Sequence, residues 1–300
     1  MAMKTILVPI PDTEINLAAI ETGMMVARAV EGHLDGLYIE PPLPLTTGSM
    51  PLTAYDAPTY GRAAPTRVQR AEADRAGAEE ERDRAAERAR AEFERACAAY
   101  QVPVHAAPPP GPMPSASWHR TQGSYATAVS RRAPGCDLLV VPNPATAAMA
   151  RDIAEQILLE TGRPVLLSPA GPAQDPSRSA MIAWSPTLQA WRAVAAAVPL
   201  LAQAERVEIL SVGRDDEEIA ESRADVIAYL GWHGIAASAR HMQPQSRGIG
   251  DTLLNEAGEA DVGMLVMGAY SHGRVRQLLL GGLTRYVLTH IGTTPVFMAH

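Results

Sequence analysis

GMLVMGAYSHGRVRQLLLGGLTRYVLTHIGTTPVFMAH, Gly263–His300, contains the pattern that decides the fold. Met264–Gly268 is a continuous apolar run ending on a glycine, and PVFM at Pro295–Met298 is a second one. Between them, Leu283–His290 has helical spacing directly after the pair Gly281 and Gly282. Continuous rather than alternating apolar runs, separated by a helix, predict parallel strands covered on both faces. Gly268 lets the chain leave its strand with unusual backbone angles and lets a ligand approach the main chain. Free N–H groups at the start of a helix behind two glycines form an anion site. Thr284 could add a hydroxyl to a bound phosphate, while Arg274, Arg276 and Arg285 face either an anion or solvent.

Working backwards, the same order of segments occurs twice. KTILVPIPDT near the start leads into a helix with Ile15, Ala18, Ala19, Thr22 and Val26 on one face, followed by a strand at Asp35–Glu40. From Ser179 the order recurs as SAMIAW, then Ser185, Pro186 and Thr187, an Ala-rich helix from Leu188 to Ala202, and the strand Arg206–Val212. Each half closes alike, with DLLVV at Asp137–Val141 before GRPVLLSP, and GMLVMG before TTPVFMAH. Repetition on this scale predicts two α/β domains, each a doubly wound parallel sheet of five strands. The boundaries are residues 1–170 for the first domain, 171–178 for a proline-bearing linker, and 179–300 for the second. The first domain carries two insertions, a proline-rich loop at 41–65 and a charged helix at 66–100. That helix reads either as a solvated rod with one apolar stripe through Val68, Ala71, Ala78 and Phe93, or as a partner-binding helix.

Composition narrows the function classes. Of 300 residues, 47% are hydrophobic and 20% charged, the balance of a globular chain. Lys plus Arg number 26 against 33 Asp plus Glu, a net charge of −7, which argues against nucleic-acid binding. No apolar run approaches the roughly 18–20 residues of a membrane span, so no membrane association is expected. With only Cys97 and Cys136 and no signal peptide, a cytoplasmic protein with reduced thiols is expected. There is no Walker A motif, no Rossmann glycine fingerprint and no G-x-S-x-G nucleophile elbow. RGIGD at Arg247–Asp251 reads as a loop into a helix at Thr252–Ala260, and the pair Trp184 and Trp191 reads as core packing. His272 could touch a phosphate or face solvent, and no His spacing suggests a metal site.

The loop after Met267 resembles the nucleotide signature of the universal stress protein (UspA-like) family, which is Gly, two residues, Gly, nine residues, then Gly and a Ser or Thr. Here Gly268, Ser271 and Gly281 keep the frame, with Ser271 in the second glycine slot beside Gly273, and Gly282 in the hydroxyl slot. ILVPIPDT, AWSPT at Ala183–Thr187 and PVFM match further landmarks, so the resemblance covers both halves and is to a tandem member. It implies an adenine nucleotide alpha hydrolase-like fold with strand order 3-2-1-4-5 in each half. It also implies ATP, or AMP or ADP, with adenine near Val212, Thr187 beside the ribose and phosphates, and phosphates on the 268–282 loop. The family's acidic residue after the first strand falls on Pro11 in one half and Ser185 in the other. Ser185 can hydrogen-bond a ribose but brings no charge to Mg2+. The first half has 22 positions from Pro142 to Pro164 where the second has 27 from Gly268 to Pro295, and two prolines where N–H donors are needed.

The resemblance further implies pairing of the last strands, so that PVLL and PVFM make one chain mimic a dimer, with a homodimer of such chains also open. The function expected is a nucleotide-binding stress-response or signalling module without efficient catalysis. A nucleotide-free protein–protein interaction module and a weak ATPase remain as alternatives.

Overall fold

In a computed structural model, residues 2–12, 15–42, 67–105, 107, 111, 113–145, 148–270 and 282–300 are described, side chains excepted at 67–74, 148 and 149. The first half contributes β1 (Thr5–Pro11), α1 (Leu17–Ala29), β2 (His33–Glu40), α2 (Arg67–Ala99), β3 (Ser115–Gln122), α3 (Tyr125–Arg132), β4 (Leu138–Val141), α4 (Ala148–Glu160) and β5 (Val165–Leu167). The second contributes β6 (Ser179–Ala183), α5 (Leu188–Leu201), β7 (Arg206–Val212), α6 (Glu217–Trp232), β8 (Ala237–Met242), α7 (Ile249–Glu259), β9 (Met264–Gly268), α8 (Leu283–His290) and β10 (Val296–Ala299).

The sheet order is β3-β2-β1-β4-β5-β10-β9-β6-β7-β8. Within each half it is the expected 3-2-1-4-5, all parallel. The expected pair of sheets is one ten-stranded sheet, because β5 and β10 pair antiparallel, Leu166 opposite Phe297. All six residues in that register are fully buried, so each presents side chains to a helix layer on either face. One layer holds α1, α2, α5 and α6, through residues such as Ala27, Ala89, Ala193 and Val226. The other holds α3, α4, α7 and α8, through Val129, Ile157, Ala257 and Val287. The predominance of small and branched aliphatics over aromatics fits two helix layers sitting close to a sheet buried on both sides.

Local chemistry sets the element ends. Asn16, Ser124, Thr187 and Asp216 cap α1, α3, α5 and α6, each accepting a backbone N–H three residues on. The charged helix α2 buries Ala86, Ala89, Phe93, Ala96 and Cys97; of the expected stripe Phe93 is buried and Ala78 half-buried, while the side chains of Val68 and Ala71 lie outside those described. Phe93 lies on Gly36 of β2, where an added Cβ would come within 2.6 Å of its ring. The linker is also pinned: the Asp175 carboxylate accepts from the Ser177 N–H at 2.9 Å, and Arg178 pairs with Asp261 at 2.9 Å. Residues 43–65 of the proline-rich insertion lie outside the described residues. Both thiols are buried, and burial pushes each up to about 12, so neither is a nucleophile at neutral pH. No described helix is long and apolar enough to cross a membrane.

At the β2–β3 edge, the His33 imidazole lies between the Ser115 and Ser117 hydroxyls, 2.9 Å from each. Burial holds its pKa below the ordinary 6.5, with Asp35 opposing the shift and His119 and His105 adding to it. The unfolded chain therefore takes up this proton first, so stability is complete above about pH 6.5 and falls as pH drops below it. His33→Gln should flatten this acid slope in urea unfolding between about pH 6.5 and 5. Superimposable slopes for both proteins would show that His33 is not the group responsible.

Candidate functional site

In a 3-2-1-4-5 sheet the chain direction of winding reverses between the first and fourth strands, which opens a crevice at their carboxyl ends. In the second half those strands are β6 and β9. The crevice is framed by Ser185 and Thr187 after β6, Val212 at the end of β7 and Gly213 after it, Gly268 at the end of β9, and Gly282 at the start of α8.

Ser185 is exposed, its hydroxyl 3.5 Å from that of Thr187. The Thr187 hydroxyl accepts the Ala190 N–H at 3.2 Å, which fixes the first turn of α5 beside the crevice. Val212 is half-buried at the edge of the second core cluster, with Met242 beside it in the β7–β8 register. The turn after it is held by His241, whose Nε2 lies 2.6 Å from the Gly213 carbonyl and whose Nδ1 lies 3.4 Å from Asp215.

Gly268 has a different partner from the one its sequence context suggests. A Cβ there would stand 2.6 Å from the Ala190 nitrogen and 2.7 Å from the Gln189 carbonyl carbon, so the backbone that approaches closely is that of α5. Thr284 is likewise engaged within the fold: it is buried, and its hydroxyl accepts the Tyr270 N–H at 3.0 Å. That bond ties the end of β9 to the first turn of α8 and holds Tyr270 at φ +57°. Burial, reinforced by Glu155 of α4, raises the Tyr270 phenol well above its ordinary pKa. Ser271, His272, Gly273, Arg274, Arg276 and Gly281 lie outside the described residues.

The start of α8 differs from most others. Gly282 is its N-cap, so the cap supplies no side-chain acceptor for the first N–H groups. Among the described α-helix starts only α7, capped by Gly248, shares this, and the two adjoin through Tyr286, which donates to Asp251 at 3.2 Å. Unclaimed N–H groups at a helix start, at a switch point, are suited to an anion. The helix starts also bring an apolar rim to this edge. Leu188, Ile249 and Leu283 each open a helix, and they are 60%, 43% and 37% exposed. A large aliphatic residue straight after a cap was the available sequence signal for that rim.

The equivalent edge of the first half is occupied by its own side chains. The Tyr38 hydroxyl donates to Asp12 at 2.5 Å. Glu40, buried, takes Arg82 at 2.9 Å and also Arg120. Asn143, after β4, accepts the Ala145 N–H at 2.8 Å and donates to the Ile291 carbonyl of the other half at 3.3 Å. No group of His, Cys, Asp and Glu among the described residues is arranged to hold a metal ion.

Over nearly its whole length the chain superimposes on a universal stress protein from Archaeoglobus fulgidus DSM 4304, with a TM-score of 0.66 at 15% identity, covering 98% of this chain and 95% of that one. This is the universal stress protein fold. A chain described as a universal stress protein from Pseudomonas aeruginosa UCBPP-PA14 aligns at 16% identity over 99% of this chain and 93% of its own, with a TM-score of 0.54. A protein of unknown function from Pseudomonas aeruginosa PAO1 aligns at 14% identity over 99% and 92%, with a TM-score of 0.53. No family model matches the sequence, and neither does any curated protein.

Because its missing Cβ is filled by the α5 backbone, Gly268→Ala should destabilise the protein by about 1–3 kcal/mol through overpacking. A lowered urea midpoint with unchanged slope is the expected result; an unchanged midpoint would mean that α5 stands further off.

Proposed function

We propose that the protein is a tandem universal stress protein that binds an adenine nucleotide at the carboxyl edge of its second half, as a stress-response or signalling module without efficient catalysis. The observation that carries this reading is the glycine-capped start of α8 at the β6–β9 switch point. The glycine frame at Gly268, Ser271, Gly281 and Gly282 supports it, as does the fold shared with universal stress proteins. In this reading the first N–H groups of α8 and the 268–282 loop hold the phosphates. Thr187 and Ser185 meet the ribose, and adenine lies against Val212 and the apolar rim. Ser185 leaves the site without the carboxylate that would hold Mg2+, so binding depends on main-chain donors more than on a cation. Nucleotide acts by shifting the population of surfaces shown to partners.

A nucleotide-free interaction module is the second reading. It is favoured by the two loop residues already engaged within the fold, Gly268 by α5 and Thr284 by Tyr270. A weak ATPase has less support: Asp12, the acidic residue flanking a first-strand turn, is bonded to Tyr38 in the half that lacks the loop.

Gly282→Asp separates the first two readings. Gly282 has φ −62°, which any residue adopts, and aspartate is a favourable N-cap. The variant should therefore fold at least as stably as wild type, while its carboxylate occupies the anion position. ATP or AMP should raise the melting temperature of wild type and leave that of Gly282→Asp unmoved. An equal rise in both would place the nucleotide elsewhere, and no rise in either would favour the nucleotide-free module.

A further inference from the structure

Away from both carboxyl edges, a cavity of about 670 Å³ lies between the two halves. Its walls are the chain entering β1, the end of α1 and the end of α5, so neither half forms it alone. Met3, Val30, Val198, Pro199 and Ala202 supply its apolar wall, and polar atoms line nearly as much of it. The charges are unequal. Lys4 and Arg28 both line the cavity, against a single carboxylate, Glu31.

Lys4 holds its ammonium at the end of α1, donating to the Val30 carbonyl at 2.7 Å and the Glu31 carbonyl at 3.0 Å. Those carbonyls, the negative end of the helix dipole, are thereby matched without consuming an anionic side chain. Neither Lys4 nor Arg28 forms an ion pair among the described residues, although the chain as a whole carries a net charge of −7. The cleft lies at the carboxyl-terminal ends of α1 and α5, where Lys4 offsets the α1 dipole, so Arg28 and the remaining Lys4 donor are the groups open to an anion. The volume falls within the range of about 300–1,000 Å³ typical of small-molecule sites.

We propose that the cleft between the ends of α1 and α5 is a second ligand site, for an organic monoanion with a compact apolar body, such as a medium-chain carboxylate. Its anionic group meets Arg28 and the free donor capacity of Lys4, and its body lies on Val30, Pro199 and Ala202. Because α1 belongs to one half and α5 to the other, such a ligand braces the two against each other.

The probe is 8-anilinonaphthalene-1-sulfonate, titrated against the full chain by fluorescence, with octanoate as competitor. Wild type should show one saturable site, displaced by octanoate and insensitive to ATP. Ala202→Trp, at the exposed end of α5, fills the cleft and should weaken the probe by about tenfold or more. Arg28→Glu should weaken it as well and remove most of its dependence on salt. Circular dichroism establishes that the variants fold, and Gln203→Trp serves in place of Ala202→Trp if that protein does not. Unsaturable binding, unchanged affinity in the filled variant, displacement by ATP, or displacement by octylammonium but not octanoate would each overturn the assignment.

Discussion

The antiparallel pairing of β5 with β10 is the constraint on which the rest of the molecule rests. Two short strands, Val165–Leu167 and Val296–Ala299, join two parallel half-sheets into one, and the residues in register at the junction have no exposed surface. Strands this short are stabilised chiefly by the helices above and below them, since a parallel sheet covered on both faces buries every side chain it carries. The pairing also runs the strands of one half opposite to those of the other, so the two switch-point crevices open in different directions. It leaves β3 and β8 as the outer edges.

A shared core allows the two carboxyl edges to differ. In the first half, polar side chains are satisfied internally: Asp12 by Tyr38, Glu40 by Arg82 and Arg120, Asn143 by a carbonyl from across the junction. In the second, the start of α8 is capped by a glycine, which brings no side-chain acceptor to its first N–H groups. The energetic logic is that of hydrogen-bond satisfaction: donors left without an internal partner near a crevice are matched by water or by a ligand.

Much of this was legible in the residues. β7 and α8 have the bounds that the apolar runs and the glycine pair indicate, and the strand order within each half follows the resemblance. Strands buried on both faces announce themselves by composition. The outer strands β3 and β8 do not, because SASWHRTQ and ASARHM carry polar residues toward solvent at the sheet edges. The start of β2 at His33 was hidden for a similar reason, its first residues being polar groups bonded to Ser115 and Ser117. At the candidate site, the spacing of Gly268 and Gly282 shows where backbone comes close, but not to what. Only the packing of α5 reveals that its own first turn is the neighbour of Gly268, and only the Tyr270 N–H reveals what the Thr284 hydroxyl accepts.

In the proposed reading the two halves are asymmetric: one presents donors to an anion, and the other has filled the same edge with its own side chains. Titration calorimetry of the full chain with ATP and with AMP tests this directly through stoichiometry. The account predicts one nucleotide bound per chain. Two per chain, or no binding heat with either nucleotide across a range of temperatures, would contradict it.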